Sequence, residues 1–407
     1  MKKRFNIATI AGIMILVAAL TFTITFLSVE NIFAAQLSSE KDKSAYLQKL
    51  ADIHDIITNY YVGEYDDEAL ADGAADGMVA ATGDRWSFYM SAKNYADYQL
   101  SMRNEQIGIG VTVVYDEEGG ALTVAKVNAG SPAETAGLKK YDKILSVDGE
   151  LVKDIGYQAT VMKVRGEEDT EVTLGVISRG EDTPRNVNVM RKSYLINAVT
   201  SEILEGNVGY VKIDNFDSRV DINFTDAVAK LLEAGVEGFV FDVRDNPGGM
   251  KDVMVSMLDL LCPQGVLFTM RDKHGNASVD HSDENEIDLP MTVIINSNSY
   301  SAAEFFAAAL QEYGKASVIG TATTGKGYSQ VTKPLSDGSA INISTNEYFT
   351  PNGVSLIGTG VTPDYEVKLN FEGNYLMLEH SEDNQLQKAI EVLKTEIITY
   401  EAKRAEG

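Results

Sequence analysis

The chain has 407 residues, 44% of them hydrophobic and 23% charged, which excludes disorder as the default and implies two or three folded units. A formal net charge of -25 excludes nucleic acid as a partner, since a phosphate backbone asks for a basic surface, and disfavours broad binding to anionic lipid. A single cysteine, Cys262, excludes an internal disulfide, and His54, His274, His281 and His380 fall at no metal-ligand spacing, so no metal or other cofactor is expected.

Lys2, Lys3 and Arg4 precede an uncharged stretch from Phe5 to Val29. About 20 apolar residues cross a bilayer as a helix, and a cationic flank stays in the cytoplasm. Residues 1–36 are therefore expected to form a single-pass transmembrane anchor in the cell membrane that leaves everything after it extracytoplasmic. The alternative is a cleavable signal peptide cut near Ala34 and Ala35, which Ile32 or Phe33 at the −3 position fits poorly. Either way the working part is exported.

Residues 37–105 read as a helical N-terminal region. Leu47, Leu50, Ile53, Ile56 and Ile57 recur at helical spacing, and so do Leu70, Ala74, Gly77, Met78 and Ala81. Gly83-Asp84 breaks the second run, and Trp86, Phe88 and Tyr89 form an aromatic cluster whose expected use is packing.

Between residues 106 and 192 the pattern changes to short strands rich in Val, Ile and Thr. Ile107 to Val111 opens it and Ala121 to Val127 follows. Ser131-Pro132 starts a capped helix running to Leu138, and Tyr141 to Gly149 ends in a tight Asp-Gly turn. With Arg165-Gly166 and Val172-Thr-Leu174 this order of motifs resembles a PDZ domain, with Tyr141 standing where many such domains have glycine. A glycine-rich loop can cradle a terminal carboxylate and an exposed strand edge can accept an added strand. Gly108, Ile109 and Gly110 are assigned to that peptide-binding loop, and Arg165, in its Val-Arg-Gly turn, is expected to couple peptide occupancy to the rest of the chain.

Residues 193–370 alternate strands and helices. Strands are expected at Val208–Ile213, Gly238–Val243, Met291–Ile295 and Val318–Gly320, with helices at Asn223–Ala234, Val253–Leu261 and Ala302–Tyr313. Such alternation implies an α/β layer structure with parallel pairing. In the tail, residues 371–407, an amphipathic helix over Asp383–Arg404 shows Leu386, Ala389, Ile390, Leu393 and Ile397 on one face, for packing on its own domain or, alternatively, a homodimer contact.

Three segments carry the chemistry. Arg244-Asp-Asn-Pro-Gly-Gly249 frees backbone N–H groups to face a small anion. Ser299-Tyr-Ser-Ala-Ala-Glu304 sets a serine at a helix N-terminus, where it is either a reactive group or a cap. Gly325-Lys-Gly-Tyr-Ser-Gln330 places a lysine between glycines, without the spacing of a phosphate loop. In this order, with Tyr348 to Gly353 and Gly360 to Asp364 following, they resemble the C-terminal processing peptidases, or tail-specific proteases, over residues 47 to 386; Tyr300 departs from the small residue common there.

The resemblance implies an α/β peptidase core with an inserted, mainly β PDZ domain, a helical N-terminal region and the N-terminal transmembrane helix. It implies a serine endopeptidase acting on exported proteins or peptides with a free C-terminus, which the PDZ domain binds. Ser301 would be the nucleophile and Lys326 the general base, with Gln330, one helical turn on, orienting it. N–H groups of Gly248 or Gly249 and of Ala302 would form the oxyanion hole. A serine needs a base, and a lysine serves if burial keeps it neutral. Cys262, at an apolar helix end, reads as buried structure. The rival readings are a catalytically silent PDZ scaffold or regulator, and an ester hydrolase using the same serine.

Overall fold

The computed structural model describes residues 44–116, 119–371 and 377–406, so the expected transmembrane or signal segment lies outside the described residues. Among the described residues no helix is long and apolar enough to cross a membrane. The chain divides into two compact units, 1–73 and 74–407. Within the first, a helix over 44–60 precedes the opening turns of the helix Asp67–Ala80, and the His54 ring lies 3.1 Å from the Asp67 carboxylate.

The second unit is built on a six-stranded sheet in the order Val199–Leu204, Val208–Ile213, Gly238–Asp242, Met291–Ile295, Ala316–Gly320, Tyr365–Glu366. Only the first pair is antiparallel. The inner strands are mostly apolar because both faces are covered. One face, with Val211, Phe239, Phe241 and Val293, packs against the helices Val220–Glu233, Lys251–Asp259 and Ala302–Glu312. Cys262 is buried in this layer, and burial pushes its thiol up to about 12, so it is inert packing. The opposite face, with Val208, Val240, Ile294 and Ile319, takes Leu386, Ala389, Leu393 and Ile397 of the helix Asn384–Glu406. The tail helix thus spends its apolar stripe on its own sheet.

A buried ion network ties that helix to the sheet. Arg244 donates from Nε to both oxygens of Asp242, at 3.0 and 3.1 Å, and its Nη2 lies 2.7 Å from Asp383. Nη1 reaches Gln385 at 3.0 Å. Asp383 also caps the helix, accepting from the N–H groups of Gln385 and Leu386 at 3.0 Å. Burial opposes the charge on Asp242, but Arg244 and Lys212 outweigh it and hold the carboxyl well below the usual carboxylate range.

A second, antiparallel sheet has no counterpart in the sequence reading. It comprises Phe88–Met90, Gly265–Asp272, Ala277–Ser282, Tyr328–Pro334 and Ala340–Phe349, with the last as its hub. Phe268 and Tyr348 from this sheet meet Phe305 of the Ala302–Glu312 helix edge-on, at 5.1 and 4.5 Å between ring centroids.

The third sheet, Val111–Asp116 to Arg185–Met190, is antiparallel throughout and carries its own core of Leu122, Val124, Ile144, Val172 and Leu174. Here the expected cap forms: Ser131 Oγ accepts from Glu134 N, with Pro132 opening the helix Pro132–Thr135. Tyr141 takes φ 76°, the left-handed conformation that makes glycine the easier residue at this turn. A two-stranded ribbon, Glu105–Gly108 with Lys192–Leu195, joins this sheet to the rest of its unit. At its root Asn104 is buried and donates to Asn215 Oδ1 and Ser218 O.

Candidate active site

The three chemical segments converge at the C-terminal ends of the parallel strands. After Gly238–Asp242 the chain turns through Asn246, whose buried amide donates to Ile213 O at 2.9 Å while its Oδ1 accepts from Gly248 N at 2.8 Å. Asn246 O in turn accepts from Tyr300 N, so one residue pins the glycine pair against the serine loop. Gly248 adopts φ 88°, and a Cβ there would stand 2.7 Å from Ser301 Cβ and 2.9 Å from Ala302 N. Only glycine lets this backbone close on the serine. The N–H of Gly248, an expected oxyanion donor, is engaged by Asn246 in this arrangement, whereas Ala302 opens its helix and has an N–H without an intrahelical acceptor.

Ser301 occupies the N-cap position with φ 59° and ψ −124°. That backbone is costly for a residue with a Cβ, by about 1–3 kcal/mol, and such strain persists where the surroundings dictate it. Glu304 does the dictating. It is fully buried, and its Oε2 accepts from both Ser301 N and Lys326 N at 2.9 Å. Its Oε1 accepts from Thr323 Oγ1 at 2.5 Å and from Gly325 N at 2.7 Å. One carboxylate therefore hangs the serine and the lysine from the same point. Burial raises the Glu304 carboxyl above its usual value, against the pull of those hydrogen bonds.

Lys326 extends its Nζ over the rings of Trp86, at 4.9 Å, and Tyr300, at 5.7 Å. Burial brings its amine down to about 8, opposed by the charges of Glu304 and Asp84. The Ser301 hydroxyl is hydrogen-bonded to the buried Tyr348 hydroxyl at 3.2 Å, not to Lys326. Gln330 is not a helical turn beyond the lysine. It lies in the strand Tyr328–Pro334, and its amide donates to Tyr328 O and Ser344 Oγ. The Tyr-Ser-Gln-Val-Thr run alternates with the pleat of the second sheet, which overrides a four-residue spacing. Trp86 packs as expected, its ring 5.6 Å from that of Tyr300 and tilted by 31°, and it also walls the lysine.

Asp217 was not anticipated. It is 5% exposed, its Oδ1 has no hydrogen-bond partner among the described residues, and a Cβ on Gly249 would come within 2.8 Å of it. Burial pushes this carboxyl up to about 7. Unfolded chains ionise near 3.8 while the fold keeps its proton, so stability declines as pH rises between about 4 and 7, by up to about 4 kcal/mol. Asp217→Asn, which cannot ionise, is expected to unfold at higher denaturant than the parent at pH 8 and to lose that advantage at pH 4.

In the third sheet, Gly108, Ile109, Gly110 and Arg165 all line one groove of about 270 Å³, with Tyr157, Val161 and Val164 across from the loop. A Cβ on Gly110, at φ 86°, would strike Ser131 Cβ at 2.2 Å, which explains the glycine. Tyr194 from the joining ribbon also lines this groove.

Comparison with known proteins accords with this layout. Residues 207–367 match the peptidase family S41 model, residues 98–177 the PDZ domain model, and residues 14–94 the N-terminal domain of the activating protease CtpB. A CtpA-like serine protease of Staphylococcus aureus strain MSSA476 is 30% identical over 371 residues, 90% of this chain and 74% of that one. The carboxy-terminal processing protease CtpA of Bacillus subtilis strain 168 is 30% identical over 372 residues, 91% of this chain and 78% of that one. The structure of an S41 protease from Bacteroides fragilis NCTC 9343 shares the fold, with TM-score 0.60 at 20% identity over 83% of this chain and 91% of that chain. The chain belongs to the S41 peptidases, among the C-terminal processing proteases that carry a PDZ domain.

Proposed function

We propose that the chain is a serine endopeptidase that cuts exported proteins near their C-termini, with Ser301 as nucleophile and Lys326 as general base. The observation that carries this reading is the shared Glu304 oxygen, which holds the backbones of a strained serine and of a lysine of lowered basicity at one point. In the reaction Ser301 Oγ attacks the scissile carbonyl as its proton passes to the neutral Lys326 amine, which later returns it to the leaving amine. The carbonyl oxygen, now negative, is met by N–H groups of Ala302 and of Gly248 or Gly249. For Gly248 to serve, its N–H must leave Asn246, and Lys326 must turn from the aromatic rings toward the serine. The geometry thus supports a resting form that substrate completes.

The groove holding Gly108, Ile109, Gly110 and Arg165 would bind the substrate's terminal carboxylate and pass its occupancy on through Arg165. Residues 1–36 would anchor the enzyme in the cell membrane with its catalytic part extracytoplasmic. The Ser301–Tyr348 hydrogen bond favours the second reading, a catalytically silent PDZ scaffold. Digestion of casein decides between them: the parent chain is expected to cleave it and Ser301→Ala to be inert, and equal traces from both would remove the peptidase reading. A free carboxyl end on a peptide substrate is expected to speed cleavage relative to the amidated peptide.

A further inference from the structure

Tyr348 touches both halves of the candidate dyad. It lies in the strand Ala340–Phe349 and is 3% exposed. Its ring is held edge-on by Phe305 at 4.5 Å and tilted against Phe268 at 5.4 Å, which fixes where the hydroxyl stands. Its main-chain N–H donates at 3.2 Å to the carbonyl of Gly327, the residue after the lysine. That turn is tightly packed in its own right, since a Cβ on Gly327 would stand 2.1 Å from Ile357 Cγ1. One residue thus ties the lysine turn through its backbone and meets the serine with its side chain.

Ser301 Oγ and Tyr348 Oη are 3.2 Å apart, and distance alone leaves either oxygen as the donor. Burial decides between them. Among the described residues the phenol has no hydrogen-bond partner but Ser301. Were Ser301 to donate, the phenol hydrogen would be left buried with no acceptor, an unmade bond with its full desolvation cost. Ser301 is only half-buried, so its own hydrogen can turn to water or to a base. The phenol is therefore the donor. Burial also raises it above the ordinary tyrosine value, so it keeps its proton wherever the enzyme works.

We propose that Tyr348 is a third catalytic side chain, whose phenol donates to Ser301 Oγ, leaves the serine's own hydrogen free for the base and steadies the negative charge that gathers on that oxygen. The catalytic role rests on the peptidase reading; the direction of the hydrogen bond does not. As the bond from Oγ to the carbonyl carbon forms, the serine proton passes to the Lys326 amine and the phenol keeps its own. When water releases the acyl group, the same bond breaks and Oγ takes a proton back from the Lys326 ammonium. In both steps the phenol's bond to Oγ strengthens as charge grows there. Nothing is transferred from Tyr348, so its loss slows both steps and abolishes neither.

Tyr348→Phe in the full chain removes one oxygen and keeps the packed ring. Its kcat on a peptide substrate is expected to fall about 10- to 100-fold, with KM little changed, the span of one hydrogen bond to a charged group. A fluorophosphonate ester, which reacts with an activated serine, should label the variant more slowly by a similar factor. The rising limb of the pH–rate profile should stay where the parent has it, because the phenol acts on the serine and not on Lys326. Parental kcat and labelling rate, a gain in either, or a displaced limb would each overturn the catalytic role. Denaturant unfolding of the parent, Ser301→Ala, Tyr348→Phe and the double variant tests the contact with no turnover at all. The double variant is expected to lose less than the two single losses together, and strictly additive losses would overturn the hydrogen bond itself. A parent chain that neither cleaves nor labels would remove the peptidase reading, and the role in catalysis with it, while a measured coupling would still stand as a structural bond.

Discussion

Lys326→Arg is expected to lose kcat by about 10²–10⁴-fold, the span that general base catalysis supplies, although it keeps the positive charge. A guanidinium is protonated at every accessible pH and cannot accept the serine proton. Lys326→Met, which has no charge, should fall equally far, and the pair together separates a base from a mere cation. On the proposed mechanism the base works only when neutral. With the amine brought down to about 8, kcat/KM should rise with pH through that value, the deprotonated fraction growing as pH increases. A pH–rate profile flat from 6 to 9, or an Arg variant with more than a tenth of parental kcat, would remove Lys326 from the chemistry.

Glu304→Gln is the second substitution with a large expected effect. Four donors, from Ser301, Thr323, Gly325 and Lys326, converge on two carboxylate oxygens. An amide accepts on one side only, so two buried donors lose their acceptor at about 1–3 kcal/mol each. Denaturant unfolding should show that loss. Activity should change in a distinctive way as well. Glu304 raises the Lys326 amine, so removing its charge moves the rising limb of the pH–rate profile below 8. A variant merely misfolded would lose amplitude at every pH with its limb unmoved.

The four inner strands were legible because each is a mostly apolar run, whereas the short edge strand Tyr365–Glu366 was not. Val208–Ile213 and Met291–Ile295 match their expected bounds, and Ala121–Val127 does so in the third sheet. The second sheet was not, since Tyr328–Pro334 and Ala340–Phe349 mix Ser, Thr and Asn with apolar residues and are only partly buried. Missing that sheet is what turned the Lys326-to-Gln330 spacing into a helical turn. Ser301, Lys326 and the glycine pair were found through ordered motifs, and the structure brings them together. Glu304 was in plain view within its motif, yet its task depends on Gly325 and Lys326 folding back across more than twenty positions. Trp86 and Tyr348 reach the site only through tertiary packing, which no local pattern encodes.

The Arg244 network makes the Gly248 loop depend on a segment far away in the chain. The guanidinium stands at the base of the loop that carries Gly248, and two of its partners, Asp383 and Gln385, belong to the start of the last helix. Without that stretch Arg244 would keep Asp242 but lose two buried partners, and the loop above it would be less firmly held. A chain cut before Asp383 is therefore expected to lose its grip on the Gly248 loop as well as the cover over one face of its sheet.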